Sequence, residues 1–348
     1  MDFGGGDEIG FERIGVAGVI TLTRPKALNA VTHKMILALS KAFAAWERDK
    51  DVALVVIKAE GRAFSAGGDI ADAYRAMRAG TRPVQFFADE YRLNAALARF
   101  PKPCVPLIDG IVMGGGVGIS CHGSHRVMTE KALFAMPEVG IGFFPDVGGS
   151  FLLSRLKGSY GMYLGLTGAR IRSGDALRAG IATHAVESAA LGDVFDQLCK
   201  GVAPDKCLKG FASAPQAETD EGALFSIAKL FSREKLGDLL IGLQQAREAG
   251  ERVAETALKA IGKASPTSVA VTFREINTGA MLDMDECMRM EFRILNRMVA
   301  GHDFPEGIRA AIIDKDGAPK WNPPALAAVS DAAVEAYFAP LPGGDLAL

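Results

Sequence analysis

Little in this sequence is extreme, and each shortage removes a class of function. Lysine plus arginine nearly balance aspartate plus glutamate (39 against 41), leaving a formal net charge of -2. No electrostatic case follows for nucleic acid or for an anionic membrane surface. The five cysteines, Cys104, Cys121, Cys199, Cys207 and Cys287, are odd in number, scattered and without a CxxC pair. They are expected as reduced thiols of a cytosol-like compartment, not as a disulfide framework or a zinc site. The histidines form no HExxH, and His122 and His125 have no carboxylate close by in sequence, so no metal is expected. The N-terminal MDFGGGDEIG is acidic and glycine-rich, unlike a signal peptide or an arginine-rich transit sequence. A cytoplasmic location is the expectation. The most apolar run, Val105 to Cys121, is broken by Asp109 and by glycines, which argues against a membrane span.

What is present describes a globular α/β protein. At 348 residues the chain exceeds the usual single core, so one large domain with a smaller appendage is expected. Val16 to Thr23 reads as a strand, and Thr32 can cap a helix whose apolar positions are Met35, Leu39, Phe43 and Trp46. Ala53 to Ile57 and Val105 to Ile108 are short apolar strands of the kind buried on both faces. Pro106 counts against the second of them. Helices are expected after Gly68 and over Val84 to Arg99. Strand–loop–helix units of this kind favour an α/β fold. From about Pro204 the character changes to helix, over Leu236 to Ala260 and through Met284, Met288, Phe292, Leu295 and Val299. That last stripe is expected to be a packed core face. Residues 1–204 are therefore taken as the core domain and 205–348 as a helical region.

Two features suggest chemistry. Both apolar strands run into glycine, Ala66-Gly67-Gly68-Asp69 and Gly114-Gly115-Gly116, each just before a helix start. Backbone N–H groups are then free to meet a ligand, and two converging on one point would make an oxyanion hole. Phosphate-loop and dinucleotide fingerprints are absent, and Ser120 sits one position out of register for a nucleophile elbow. Asp69 is expected to cap the helix it begins. The other feature is MPEVGIGFFPDVGG, Met136 to Gly149, which sets Glu138 and Asp146 in an otherwise apolar segment. Carboxylates desolvated in this way have raised pKa values and suit proton or nucleophile work near neutrality.

RPKALNA (Arg24 to Ala30), GRAFSAGGDI (Gly61 to Ile70), DGIVMGGGVGIS (Asp109 to Ser120), MPEVGIGFFPDVGG and LTGARI (Leu166 to Ile171) occur in this order. Together they resemble the crotonase (enoyl-CoA hydratase/isomerase) superfamily. The resemblance implies a spiral of ββα units with a helical C-terminal region, binding an acyl-CoA whose thioester carbonyl is held by the N–H groups of Gly68 and Gly115. It places Lys26, Ala27, Leu28, Ala63, Ala66, Gly68, Asp69 and Ile70 along the CoA path. CoA enters as part of the substrate, so no cofactor is implied, and a homo-oligomer is compatible with the superfamily.

Departures from the hydratases sharpen the expectation. Hydratases commonly carry two catalytic glutamates. The second aligns with Glu138, but the first aligns with Gly118, while Asp146 stands where many hydratases have glycine. That pattern resembles the 3-hydroxyisobutyryl-CoA hydrolase branch, as does GHDFPEGIRAAIIDKDGAPKWNP (Gly301 to Pro323). In that branch Glu90 matches an acidic substrate-site position, although on sequence alone it reads as an exposed helix residue. The resemblance thus implies a thioester hydrolase of valine degradation with Glu138 and Asp146 as its acids. The alternatives are a hydratase or isomerase using Glu138 alone and a non-catalytic acyl-CoA-binding fold.

Overall fold

A computed structural model describes residues 1–348. In chain order its strands are β1 Ile9–Ile14, β2 Ala17–Leu22, β3 Leu54–Ala59, β4 Ala63–Ser65, β5 Cys104–Ile108, β6 Ile111–Met113, β7 Val127–Met128, β8 Leu133–Ala135, β9 Ile171–Arg172 and β10 His184–Ala185. They form a six-stranded sheet in the order β1-β2-β3-β5-β7-β10 and a four-stranded sheet in the order β4-β6-β8-β9. The β1–β2 pair is antiparallel and every later pair of the larger sheet is parallel. Parallel strands need both faces covered, which is why β3 and β5 read as unbroken apolar runs. Pro106 is accommodated because β7 pairs with β5 only from Leu107 onward, so the residue without an N–H falls outside that ladder.

The helices are α1 His33–Arg48, α2 Ile70–Arg78, α3 Val84–Ala98, α4 Gly115–Gly118, α5 Gly149–Ser154, α6 Tyr160–Thr167, α7 Ser173–Ala179 and α8 Leu191–Cys199. From Pro204 onward they are α9 Pro204–Gly210, α10 Glu221–Phe231, α11 Leu236–Glu248, α12 Arg252–Ile261, α13 Pro266–Gly279, α14 Met284–Met298, α15 Asp303–Ile308 and α16 Asp331–Phe338. The Thr32 hydroxyl caps α1 by accepting from the Met35 N–H at 3.2 Å, and Met35, Leu39, Phe43 and Trp46 are buried as their spacing requires. Leu236 to Ala260 is two helices, because Gly250 turns the chain at φ +86° between α11 and α12. Asp69 stands at the cap position of α2, but its side chain makes no capping bond.

By contact the chain divides into two units, each assembled from separated segments. One comprises Met1–Gly68, Arg92–Phe134 and Ile171–Glu218; the other comprises Asp69–Tyr91, Ala135–Arg170 and Thr219–Leu348. The core of the first is built on the larger sheet, with Val19, Val56, Val105, Leu107 and Val127 packed against Leu198 of α8. The second is helical, with α13 lying against α5 and α6.

In the first unit Asn29 organises the RPKALNA turn. Fully buried at φ +52°, it accepts from the Arg24 N–H and donates to the Glu60 and Ala63 carbonyls, each at 2.8 Å. Asn29→Ala would remove all three bonds and leave the buried Ala63 carbonyl without its partner. An unfolding free energy lower by about 2 kcal/mol is expected in urea titration.

Candidate active site

The two glycine loops lie side by side in the first unit. Gly67, at φ +122°, faces the Met113 carbonyl, and Gly116 sits so close to β4 that a Cβ would come within 2.4 Å of the Ser65 carbonyl. The Val31 N–H bonds the Gly67 carbonyl at 2.8 Å and the Ala66 N–H bonds the Leu28 carbonyl at 3.0 Å. These pairings leave the Gly68 N–H out. Gly115 is the first residue of α4, a position whose N–H has no partner within the helix. The Ala66–Leu28 bond also sets the exposed turn of Lys26 and Ala27 beside this loop. Ala63 is buried in β4, with its carbonyl accepting from the Asn29 amide. Ser120 is structural, its hydroxyl bonded to the Gly116 carbonyl at 2.6 Å.

The acids gather in the second unit. A 3-10 turn over Glu138–Ile141 ends at Gly142 in the left-handed region, and the chain then runs through Phe143 and Phe144 to Asp146. Helix α15 packs onto this turn by glycine contact: a Cβ on Gly142 would lie 2.2 Å from the Asp303 carbonyl, and one on Gly307 would lie 2.1 Å from the Ile141 carbonyl. Phe143 stacks on Phe304 at 4.2 Å and approaches Phe87 at 5.7 Å. Part of the GHDFPEGIR string therefore forms the apolar wall of the acidic loop. The Ser265 N–H bonds the Val139 carbonyl at 3.0 Å, anchoring the start of α13 there as well.

Within these walls Glu138 is 6% exposed and Asp146 is 5% exposed. One oxygen of Glu138, Oε2, has no hydrogen-bond partner. Burial, and then the neighbouring Asp146, hold the Glu138 pKa well above the usual carboxylate range. Asp146 accepts from the Tyr91 hydroxyl at 2.9 Å, and burial raises its pKa to about 7 although that bond opposes the shift. Glu90, expected as an exposed helix residue, is 2% exposed on α3 with Oε1 unpartnered. Its pKa is raised by burial and by Asp146.

Three further residues belong to this cluster and escaped the sequence reading. Tyr91 is the hydrogen-bond donor to Asp146. Glu291 of α14 is fully buried and its pKa is raised to about 8, chiefly by burial. Glu275 of α13 is fully buried with neither oxygen partnered, and burial, Glu291, Asp146 and Glu138 all raise its pKa. It continues a polar stripe of Ser268 and Thr272, whose hydroxyl oxygens are also buried and unpartnered. A usable signal was present in α14, where Glu291 stands at a core step between Met288 and Leu295. No lysine or arginine contributes to the shift of any of these carboxyls. The crowd is relieved by protons, not by cations.

The model of the enoyl-CoA hydratase/isomerase family matches residues 17–338. The chain belongs to the enoyl-CoA hydratase/isomerase family. Among curated members, the mitochondrial 3-hydroxyisobutyryl-CoA hydrolase of Rattus norvegicus is 44% identical, covering 97% of this chain and 90% of that one. The enzyme of the same name from Homo sapiens is 42% identical, covering 98% and 90%. Among solved structures, a carnitinyl-CoA dehydratase from Mycobacterium thermoresistibile has a TM-score of 0.91 at 38% identity, covering 97% of this chain and 98% of that one. An enoyl-CoA hydratase from Rhodobacter sphaeroides 2.4.1 has a TM-score of 0.91 at 39% identity, covering 98% and 100%. The crotonase-like α/β fold with its helical C-terminal region is thereby established.

One expectation is corrected. The curated relatives are named as mitochondrial, which overturns the cytoplasmic location. The five cysteines are indeed free and buried, but reduced thiols report a reducing environment without saying which compartment provides it. No helix is long and apolar enough to cross a membrane.

The proton-holding cluster has a thermodynamic consequence. Glu90, Glu138, Asp146, Glu275 and Glu291 bind protons in the folded state that the unfolded chain releases above the ordinary carboxylate range. Their contribution to stability is full below that range and is lost as pH rises through folded values of about 7 for Asp146 and about 8 for Glu291. The unfolding free energy from urea titration is expected to fall between about pH 5 and about pH 8, by up to about 1.4 kcal/mol per pH unit for each proton held. Glu275→Gln should make the decline shallower; an unchanged slope would remove Glu275 from the proton-holding set.

Proposed function

We propose that this chain hydrolyses a short branched 3-hydroxyacyl-CoA thioester, 3-hydroxyisobutyryl-CoA, to the free acid and CoA, as a step of valine breakdown. The supporting observation is the pairing of Glu138 with Asp146 in one dry loop, with bare Gly118 where hydratases commonly carry their other glutamate. In this reading the thioester oxygen lies between the N–H groups of Gly68 and Gly115, which take up the negative charge as the carbonyl carbon becomes tetrahedral. Lys26, Ala27, Leu28, Ala66, Asp69 and Ile70 line the CoA path. Glu90 and Asp146 hold the β-hydroxyl or the attacking water.

Glu138 has two routes. As nucleophile its carboxylate oxygen bonds to the carbonyl carbon, the C–S bond breaks and CoA leaves as thiolate; water then opens the anhydride. As general base it takes a proton from a water whose oxygen makes the same attack. Either route needs Glu138 ionised, and Asp146 raises the pH at which that occurs.

The dehydratase and hydratase titles of the two similar structures favour a second reading, water addition across a double bond. Gly118 is fully committed to α4, buried and without a side chain, so that chemistry lacks one of its two acids. Thiol release from 3-hydroxyisobutyryl-CoA, measured beside hydration of crotonyl-CoA, separates the readings. Release without hydration is expected.

Glu138→Gln keeps the shape of the side chain and should lower turnover by at least about a hundredfold with little change in substrate affinity. A near-parental turnover number would remove Glu138 from the chemistry. Asp146→Asn keeps an acceptor for Tyr91 but removes the charge that raises the Glu138 pKa. The ascending limb of the kcat/KM–pH profile should move to lower pH in this variant; a limb left in place, or moved upward, contradicts the coupling.

A further inference from the structure

The residue after Asp146 is in a conformation that its side chain disfavours. Val147 is buried with φ +53°, in the left-handed region, and Gly148 follows at φ +83°. A β-branched residue is rarely found there, because its Cβ crowds the backbone, and such strain persists only where the surroundings impose it. The Gly149 N–H bonds the Asp146 carbonyl at 2.8 Å, so the turn that contains Val147 is the turn that carries Asp146.

Glu291 imposes it. Its Oε2 accepts from the Gly148 N–H at 2.9 Å, and its Oε1 accepts from the Ser150 N–H at 3.1 Å and the Ser150 hydroxyl at 2.5 Å. One carboxyl group thus binds the C-terminal half of the turn and the residue that follows it, and α14 supplies it from a fully buried position. On the other side Asp146 is met by the Tyr91 hydroxyl. We infer that Glu291 is a positioning residue: by bridging Gly148 and Ser150 it holds Val147 left-handed and so aims the Asp146 carboxylate. Every bond of Glu291 goes to Gly148 or Ser150, so it acts through the turn.

The kinetic arm of the test rests on the hydrolase reading above, and the structural arm does not. Glu291→Gln replaces one acceptor with an amide that opposes an N–H donor. The crystal structure of this variant should show residue 147 out of the left-handed region and the Tyr91–Asp146 bond lost. In the thiol-release assay kcat should fall about ten- to a hundredfold, the scale of losing one or two positioning hydrogen bonds, with KM unchanged within about twofold. Adding Val147→Gly should restore most of kcat, because glycine takes this φ without strain. If Glu291→Gln does not fold, Ser150→Ala removes one of the three bonds and carries the same readings at several-fold loss. A variant crystal structure with residue 147 still near φ +53° and Tyr91 still on Asp146 overturns the inference. So does a kcat loss that Val147→Gly leaves unrepaired. If the parent releases no thiol, the hydrolase reading fails and the crystal structure alone decides the role of Glu291.

Discussion

Desolvation of carboxylates is the constraint from which the helical unit takes its design. A lone ionised carboxylate in an apolar interior is costly, and several together are more so. Proteins usually relieve this with arginine, lysine or a metal. Here the relief is proton retention, with the Tyr91 and Ser150 hydroxyls and backbone N–H groups as the donors that hold Asp146 and Glu291. Carboxyls that keep protons near neutrality can gain and lose them under the conditions in which an enzyme works. The stability given up in burying Glu138 and Asp146 is therefore tied to the chemistry proposed for them.

The same constraint explains the packing around the loop. Water must be kept out if the shifted pKa values are to last, so the walls have to be close. Gly142 and Gly307 let α15 approach to backbone contact, and Phe87, Phe143 and Phe304 fill the remaining space. The C-terminal string that resembles the hydrolase branch thus has a physical role at the acids. In the proposed reading the sheet-bearing unit has the reverse requirement: backbone N–H groups must stay available, and short glycine loops before helix starts leave them so.

The sequence made some of this legible and hid the rest for identifiable reasons. Short apolar runs gave the strands, since parallel pairing demands burial on both faces. Thr32 and the spacing from Met35 to Trp46 gave α1, because capping and helical period are local. Glu138 and Asp146 stood out because their own neighbours in the chain are apolar. Glu90, Glu275 and Glu291 did not, because what buries them comes from distant segments; Glu291 meets Gly148 across 143 residues. In α14 the apolar stripe was drawn through Phe292, which is half-buried, while Glu291 beside it is fully buried. Reading period alone assigns an acid to the solvent edge.

The most direct measurement of the central claim is infrared difference spectroscopy of the ligand-free protein across neutral pH, following the carbonyl band of protonated carboxylic acids. The account predicts such a band at pH 7, titrating away toward higher pH, with intensity removed in turn by Glu275→Gln and Glu138→Gln. A protein showing only ionised carboxylates at pH 7 would contradict it.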